Sequence, residues 1–405
     1  MSGSLARVLQ TLFDGLIVGP PMFEPTGDLP NMVVYPLLPN ELTPDPPDLV
    51  TLSTGLGRGV RVNDTGFVSQ VHIDNPLPTS ILVGESDILM GPTQLRSVQF
   101  SCLVPPFRRA SLPVNCVEAG QPTVYQAEFD RAEACPWYVR SFKLDQLAKH
   151  GEPHQHRIWD NIKSYLKGAD TASSTQDVRA VFNNYGSDLN DFSHLFPPMP
   201  GQTGAVAAVG QDLFIELFSD PEILEDRYDQ VLQSALVEAV AHPTREVTPV
   251  EQVEGLMDEL VAVSRDSKLV QNRSLHDSGR SLVFSSKGIS GSALISGDRV
   301  IHLSAHKRCW GSGRPFADQV HDLTLDQNTR EEQVQDHARQ LGRIFSKRKK
   351  KYRSFKESLI PSVAHQSMEE EDYADDDYTD VNDETPLPRP LSAPIHDFFI
   401  RLFRH

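Results

Sequence analysis

Between residues 50 and 128 the chain is a succession of short β-rich runs, VTLSTGLGRGVRV, FVSQVHID, TSILVGE, LRSVQFSCLVP and SLPVNCVEA, cut by Asn-Asp, Asn-Pro, Gly-Pro and Pro-Pro pairs. Runs of this length at this spacing predict a sandwich or barrel-like antiparallel sheet. Proline fixes φ and lacks the N–H that a strand ladder needs, so each break ends a strand. Upstream, residues 20–49 are rich in proline and read as a wandering loop with one short strand, Met32 to Tyr35.

After residue 128 the hydrophobic period changes. His156 to Gly168 has a helical stripe of Ile158, Ile162 and Leu166, and Ser173-Ser174-Thr175 offers an N-cap for a second helix over Gln176 to Tyr185. AVAAVG-QD-LFIELF reads as a hairpin. Pro221 then opens a long helix through Val240, and Val250 to Val263 gives another. SALISGDRVIHLSA, within 281–305, is a second hairpin turning at Gly297-Asp298. At the start, Leu5, Val8, Leu9, Leu12 and Phe13 fall at helical spacing; Asp14 interrupts the apolar run, so an amphipathic helix docked on the body is expected rather than a signal peptide. The fold class is therefore α+β, an antiparallel β-rich N-terminal layer followed by helices and hairpins, with a disordered C-terminal tail. The chain divides into 1–245, a helix-plus-hairpin extension over 246–323, and a charged helix and tail over 324–405.

The formal net charge of −17 repels a phosphate backbone and argues against nucleic acid as a partner. Cys102, Cys116, Cys135 and Cys309 lack CxxC spacing, which fits a reducing, intracellular compartment rather than a zinc site or disulfide framework. No stretch approaches the roughly 18 apolar residues of a membrane span. The cytoplasm is the expected location, with the nucleus as the alternative through the basic cluster Lys347 to Lys351 and Arg353.

Several segments, in order, carry a family likeness: VVYPL, LVTLSTGL, GESDILMGPTQLR, LPVNCVEAG, IWDNI and PGQTGAVAAVG. With these the N-terminal 245 or so residues resemble the domain family named for its association with ADP-ribosylglycohydrolases and rhodanese-phosphatase proteins. The chain departs from the family pattern at Ser86, Leu95 and Gln121-Pro122. The resemblance implies proximity to ADP-ribose, NAD or phosphate metabolism and names no reaction or cofactor.

Candidate site residues follow from alternation and charge. On one strand, Cys116 and Glu118 share a face, roughly 7 Å apart. A neighbouring carboxylate raises a thiol pKa, so Cys116 reads first as a buried structural cysteine, with nucleophile as the alternative. Arg96 shares a face with Val98, Phe100 and Cys102, and a buried arginine must be paired, with Glu85 or Glu118 as the obvious partner. The bland reading is a structural ion pair. The sharper one is a pocket in which Arg96, Gln94 and Cys116 meet an anionic ligand and Glu118 or Glu85 serves as catalytic base. His150, His154 and His156 read as a solvated loop, with a metal site as the alternative.

Two functions stay open. One is a domain that binds or processes an ADP-ribose-like phosphorylated nucleotide. The other is a non-enzymatic interaction scaffold whose partner contacts lie in residues 346–405, where the basic cluster, the acidic run Glu369 to Glu384 and the terminal HDFFIRLFRH follow one another.

Overall fold

The computed structural model describes residues 2–23, 27–29, 31–40, 48–85, 87–242, 250–266, 269–273, 278–286 and 288–308. The charged tail, Cys309 and Ser86 lie outside the described residues. The first half runs α1 (Ser2–Asp14), β1 (Leu16–Val18), β2 (Met22–Phe23), β3 (Met32–Pro39), β4 (Leu49–Thr51), α2 (Leu52–Gly57), β5 (Arg61–Asp64), β6 (Gln70–Asn75), β7 (Ser80–Val83), β8 (Ile88–Met90), β9 (Arg96–Val98), β10 (Cys102–Val104), β11 (Arg108–Cys116), β12 (Glu128–Phe129) and β13 (Arg131–Glu133). The second half runs α3 (Trp137–His150), α4 (Gln155–Gly168), α5 (Ala180–Asn184), α6 (Gly186–Ser193), β14 (Gly204–Val209), β15 (Asp212–Phe218), α7 (Pro221–Ala241), α8 (Val250–Asp266), β16 (Val270–Arg273), β17 (Arg280–Ser286), β18 (Ile289–Ser296) and β19 (Arg299–Lys307).

The N-terminal β-rich layer forms a seven-stranded sheet, β12-β5-β6-β11-β9-β8-β13, with a three-stranded sheet, β10-β7-β4. All pairs are antiparallel except β4 with β7. Val62, Ile73, Ile81, Val83, Val98 and Val114 belong to one buried core contributed by both sheets. Two runs expected as single strands are broken. VTLSTGLGRGVRV becomes β4, α2 and β5, because the Thr51 hydroxyl accepts the Thr54 N–H at 3.2 Å and caps a short helix. LRSVQFSCLVP splits into β9 and β10, which join different sheets, so Arg96 and Cys102 do not continue one strand face.

The third sheet has nine strands in the order β1-β3-β14-β15-β19-β18-β17-β16, with β2 also on β3. The 281–305 hairpin pairs through β19 with β15, so it extends the sheet that holds β14 and β15. Its turn falls at Gly297-Asp298, and the β14–β15 turn at Gly210-Gln211; the glycine at each first central position has φ near +60° (60° and 59°), as a two-residue hairpin requires. On one face of this sheet Leu5, Leu9 and Phe13 of α1 and Val253, Leu256 and Leu260 of α8 share a core with Ile215 and Leu303. On the other, α4, α6 and α7 cover Val34, Ala207, Phe214 and Phe218. Asp220 starts α7 by accepting the Glu222 N–H at 2.7 Å, with Pro221 in the first turn.

The expected Ser-Ser-Thr cap does not act as one. Ser173 Oγ accepts the Asp177 N–H at 2.9 Å in an irregular stretch, and α5 begins only at Ala180. Helix α3 was not legible from the period, and it carries the cations of the central network described below. Among the described residues no helix is long and apolar enough to cross a membrane.

Candidate functional site

Two buried polar networks lie in the β-rich layer and where it meets the nine-stranded sheet. The first is built on Arg96, at the start of β9. Its Nη2 stands 3.4 Å from Asp64 Oδ2 at the end of β5. Its Nη1 donates to Gln94 Oε1 at 2.7 Å and to Gln94 O at 3.2 Å, while Nε has no hydrogen-bond partner. Gln94 Nε2 donates to Glu118 O at 2.7 Å. The Glu118 carboxylate accepts Leu95 N–H at 3.2 Å and the Thr175 hydroxyl at 2.7 Å. Thr93 donates to Asp64 Oδ2 at 2.7 Å and accepts the Val124 N–H at 2.9 Å, which ties the 119–127 segment down over the network.

Gly120 makes that segment fit. Its N–H donates to Thr175 O at 2.7 Å, and a Cβ there would lie 2.8 Å from Thr175 Cα. At the surface, Tyr125 and Phe67 are 68% and 64% exposed. Tyr125 packs beside Gly66, and backbone bonds from Gln126 N to Asp64 O and from Asp64 N to Ala127 O join the two loops. The aromatic pair therefore stands on the loops that enclose Asp64 and Arg96. Cys116 Sγ donates to Glu118 O at 2.9 Å, and burial raises its pKa, so the thiol stays protonated at neutral pH.

The second network is centred on α3. Arg140 Nη2 lies 2.6 Å from Glu85 Oε1 and 2.7 Å from Glu216 Oε2, and it donates to Ser304 Oγ at 2.7 Å. Glu216 Oε1 is 2.9 Å from His302 Nε2, and His302 Nδ1 is 2.7 Å from Ser101 Oγ. Lys143 Nζ donates to Ser97 Oγ at 2.5 Å and to Val98 O at 2.9 Å. Asp87 and Arg227 form a further buried pair. Burial pushes the Glu216 carboxyl up, but Arg140, His302 and Arg227 outweigh it and hold the group at about 2. Burial lowers Lys143. Three carboxylates (Glu85, Asp87, Glu216) thus face three cations (Arg140, Lys143, Arg227), the arrangement that buried charge requires.

Of the residues anticipated from the sequence, Gln94, Arg96, Cys116 and Glu118 come together. Glu85 lies apart, in the Arg140 network. The partner of Arg96 is Asp64, where Glu85 or Glu118 was expected, because only the folded chain brings the end of β5 to the start of β9, with β6 and β11 between them in the sheet order. All five anticipated residues are buried. Asp64 was hidden inside an Asn-Asp pair that read as a turn; Arg140, Lys143, Glu216 and His302 carry no motif. His150, His154 and His156 lie at the α3–α4 junction with successive ring centroids 5.5 and 5.9 Å apart. Among the described residues no group of three or more His, Cys, Asp or Glu is arranged to hold a metal ion.

Comparison with curated proteins and with solved structures gives no match. A family model does match, from Phe23 at the β2 edge to His306 in β19, and so includes every residue of both networks. On that match over residues 23–306, the chain belongs to the ARPP-1 family, the ARG and Rhodanese-Phosphatase-superfamily-associated Protein domain.

Proposed function

We propose that this protein binds an ADP-ribose-like phosphorylated nucleotide and holds it without turning it over. The observation that carries the reading is the exposed pair Phe67 and Tyr125 on the two loops that close over Asp64 and Arg96. Aromatic faces at a loop rim suit stacking on a base. Arg96 and Gln94, beside Cys116, suit the phosphates once the 119–127 segment lifts, which breaks the Val124–Thr93 and Gly120–Thr175 hydrogen bonds and the two backbone bonds to Asp64, each worth about 1 kcal/mol. The family name, with its link to ADP-ribose and phosphatase proteins, points the same way. Binding is favoured over turnover because the carboxylates proposed as bases, Glu118 and Glu85, are both buried, and Glu85 sits apart from Arg96 in the Arg140 network. A general base needs a free lone pair within reach of substrate.

The test is thermal shift of the full chain against ADP-ribose, NAD, AMP, ATP and inorganic phosphate. A ligand at a hundred times its Kd stabilises by about 2.7 kcal/mol. Arg96→Ala is a poor control, since removing one partner of a buried ion pair itself costs about 3–5 kcal/mol. Tyr125→Ala and Phe67→Ala touch only exposed rings. A shift with ADP-ribose or NAD that these variants lose supports the reading. No shift with any compound sinks it.

A second reading has its own observation. Val68 and Val124, 38% and 45% exposed, respectively follow Phe67 and precede Tyr125 in sequence, so each loop carries two exposed apolar residues. Such residues suit a protein partner, with residues 346–405 supplying further contacts. A pull-down lost on Tyr125→Ala, or on deletion of 346–405, without any nucleotide shift selects this scaffold role.

A further inference from the structure

A cleft of about 520 Å³ lies between α1 and the end of the nine-stranded sheet where β15 and β19 reach the Gly297-Asp298 turn; Leu217 and Val300 in its lining lie close in sequence to Glu216 and His302 of the Arg140 network, and no residue of the Arg96 network lines it. Its volume is within the range of small-molecule sites, roughly 300–1,000 Å³. Leu12 and Leu16 on one side and Val300 on the other give it apolar walls. Arg7 and Arg299 line it together with one carboxylate, Asp298. In a chain of net charge −17, a lining with two guanidinium groups and one acid runs against the prevailing sign and selects for an oxyanion. Arg299 follows the tight Gly297-Asp298 turn and Arg7 lies on α1, which places both backbones at the cleft.

Thr203 and Ser219 complete the argument. Both line the cleft, and the hydroxyl oxygen of each is buried without a hydrogen-bond partner in the protein. Thr203 as a whole is only 6% exposed. Unpartnered buried polar atoms occur elsewhere in the fold, Asn161 and Ser292 among them, but these two lie together in the wall of one cleft, where a bound molecule's polar head can supply a partner.

We propose that this cleft binds a small amphiphile with an oxyanion head, the head between Arg7 and Arg299 and the apolar body along Leu12, Leu16 and Val300. The site stands independently of the nucleotide reading and uses none of its residues.

The experiment is calorimetric titration of the full chain with octanoate, and with octanol as the uncharged control, each below its micellar or solubility limit. Octanoate is expected to bind at least tenfold more tightly than octanol. Arg299→Ala is expected to weaken octanoate about tenfold, which is about 1.4 kcal/mol. Thr11 is exposed and lines the cleft, so Thr11→Trp fills the space from outside the core and is expected to abolish binding. Tyr125→Ala should leave octanoate binding unchanged, which separates failure here from failure of the nucleotide site. Absence of octanoate binding, equal affinity for octanol, or full binding by Thr11→Trp each overturns the proposal.

Discussion

Replacing Glu238 by Gln should stabilise this protein in a way that depends on pH. Glu238 lies on α7 with its carboxylate buried; Oε1 accepts the Tyr138 N–H at 2.9 Å, and Oε2 is 3.8 Å from His242 Nε2. Burial pushes its pKa from 4.5 up to about 8, although the Tyr138 N–H and Tyr165 pull it down. Between those values the folded chain keeps a proton that the unfolded chain has released. The group therefore costs little below pH 4.5, and its penalty grows as pH rises toward 8. At about 1.36 kcal/mol per unit, the cost reaches about 3 kcal/mol at pH 7 and about 4 kcal/mol at pH 8. Glutamine is neutral throughout, and its carbonyl oxygen can still accept the Tyr138 N–H. Urea unfolding at pH 5, 7 and 8 is the assay. The variant should lie within about 1 kcal/mol of the parent at pH 5 and gain steadily above it. A variant less stable at every pH, or a difference flat across pH, would refute the reasoning and show Glu238 to be ionised and paired in the fold.

Arg140→Met leaves Glu85 and Glu216 buried without their cation and should cost about 3–5 kcal/mol in urea unfolding, with part recovered by adding Glu216→Gln. Glu216 has the opposite linkage to Glu238. Held at about 2 against 4.5, it contributes stability above pH 4.5 that is lost as pH falls through about 2, on the order of 3 kcal/mol; acid unfolding of Glu216→Gln should lack that slope. Gly120→Ala places a methyl against Thr175 Cα and should cost about 1–3 kcal/mol. It should also raise the hydrogen-exchange rate of the Val124 amide; an unchanged rate would mean that this segment is not held down by the Gly120 contact.

Much of the local structure was written in the chain. The glycines of GQD and SGD mark hairpin turns because only a residue tolerant of positive φ closes a two-residue loop, and Asp220-Pro221 starts α7 through a side-chain cap and a preset φ. Leu5, Leu9 and Phe13 at helical spacing foretold a docked α1. Part of the candidate site was legible in the same way, since Gln94, Arg96, Cys116 and Glu118 all lie in or next to two β-rich runs, which the fold then pairs as β9 and β11.

The rest was decided by tertiary structure. Helix α3 has no clean apolar stripe because its buried side carries Arg140, Ser141 and Lys143. Those residues face Ser304, Ser290 and Glu85, so polar packs on polar and the usual period is absent. Ion pairing was equally hidden. A buried arginine announces that it needs a carboxylate but not which one, and Asp64, Glu216 and Asp87 reach Arg96, Arg140 and Arg227 only across sheet and helix packing. Turns and caps are made by residues a few positions apart, whereas charge compensation in a core is settled by whichever group the folded chain brings within a few ångströms.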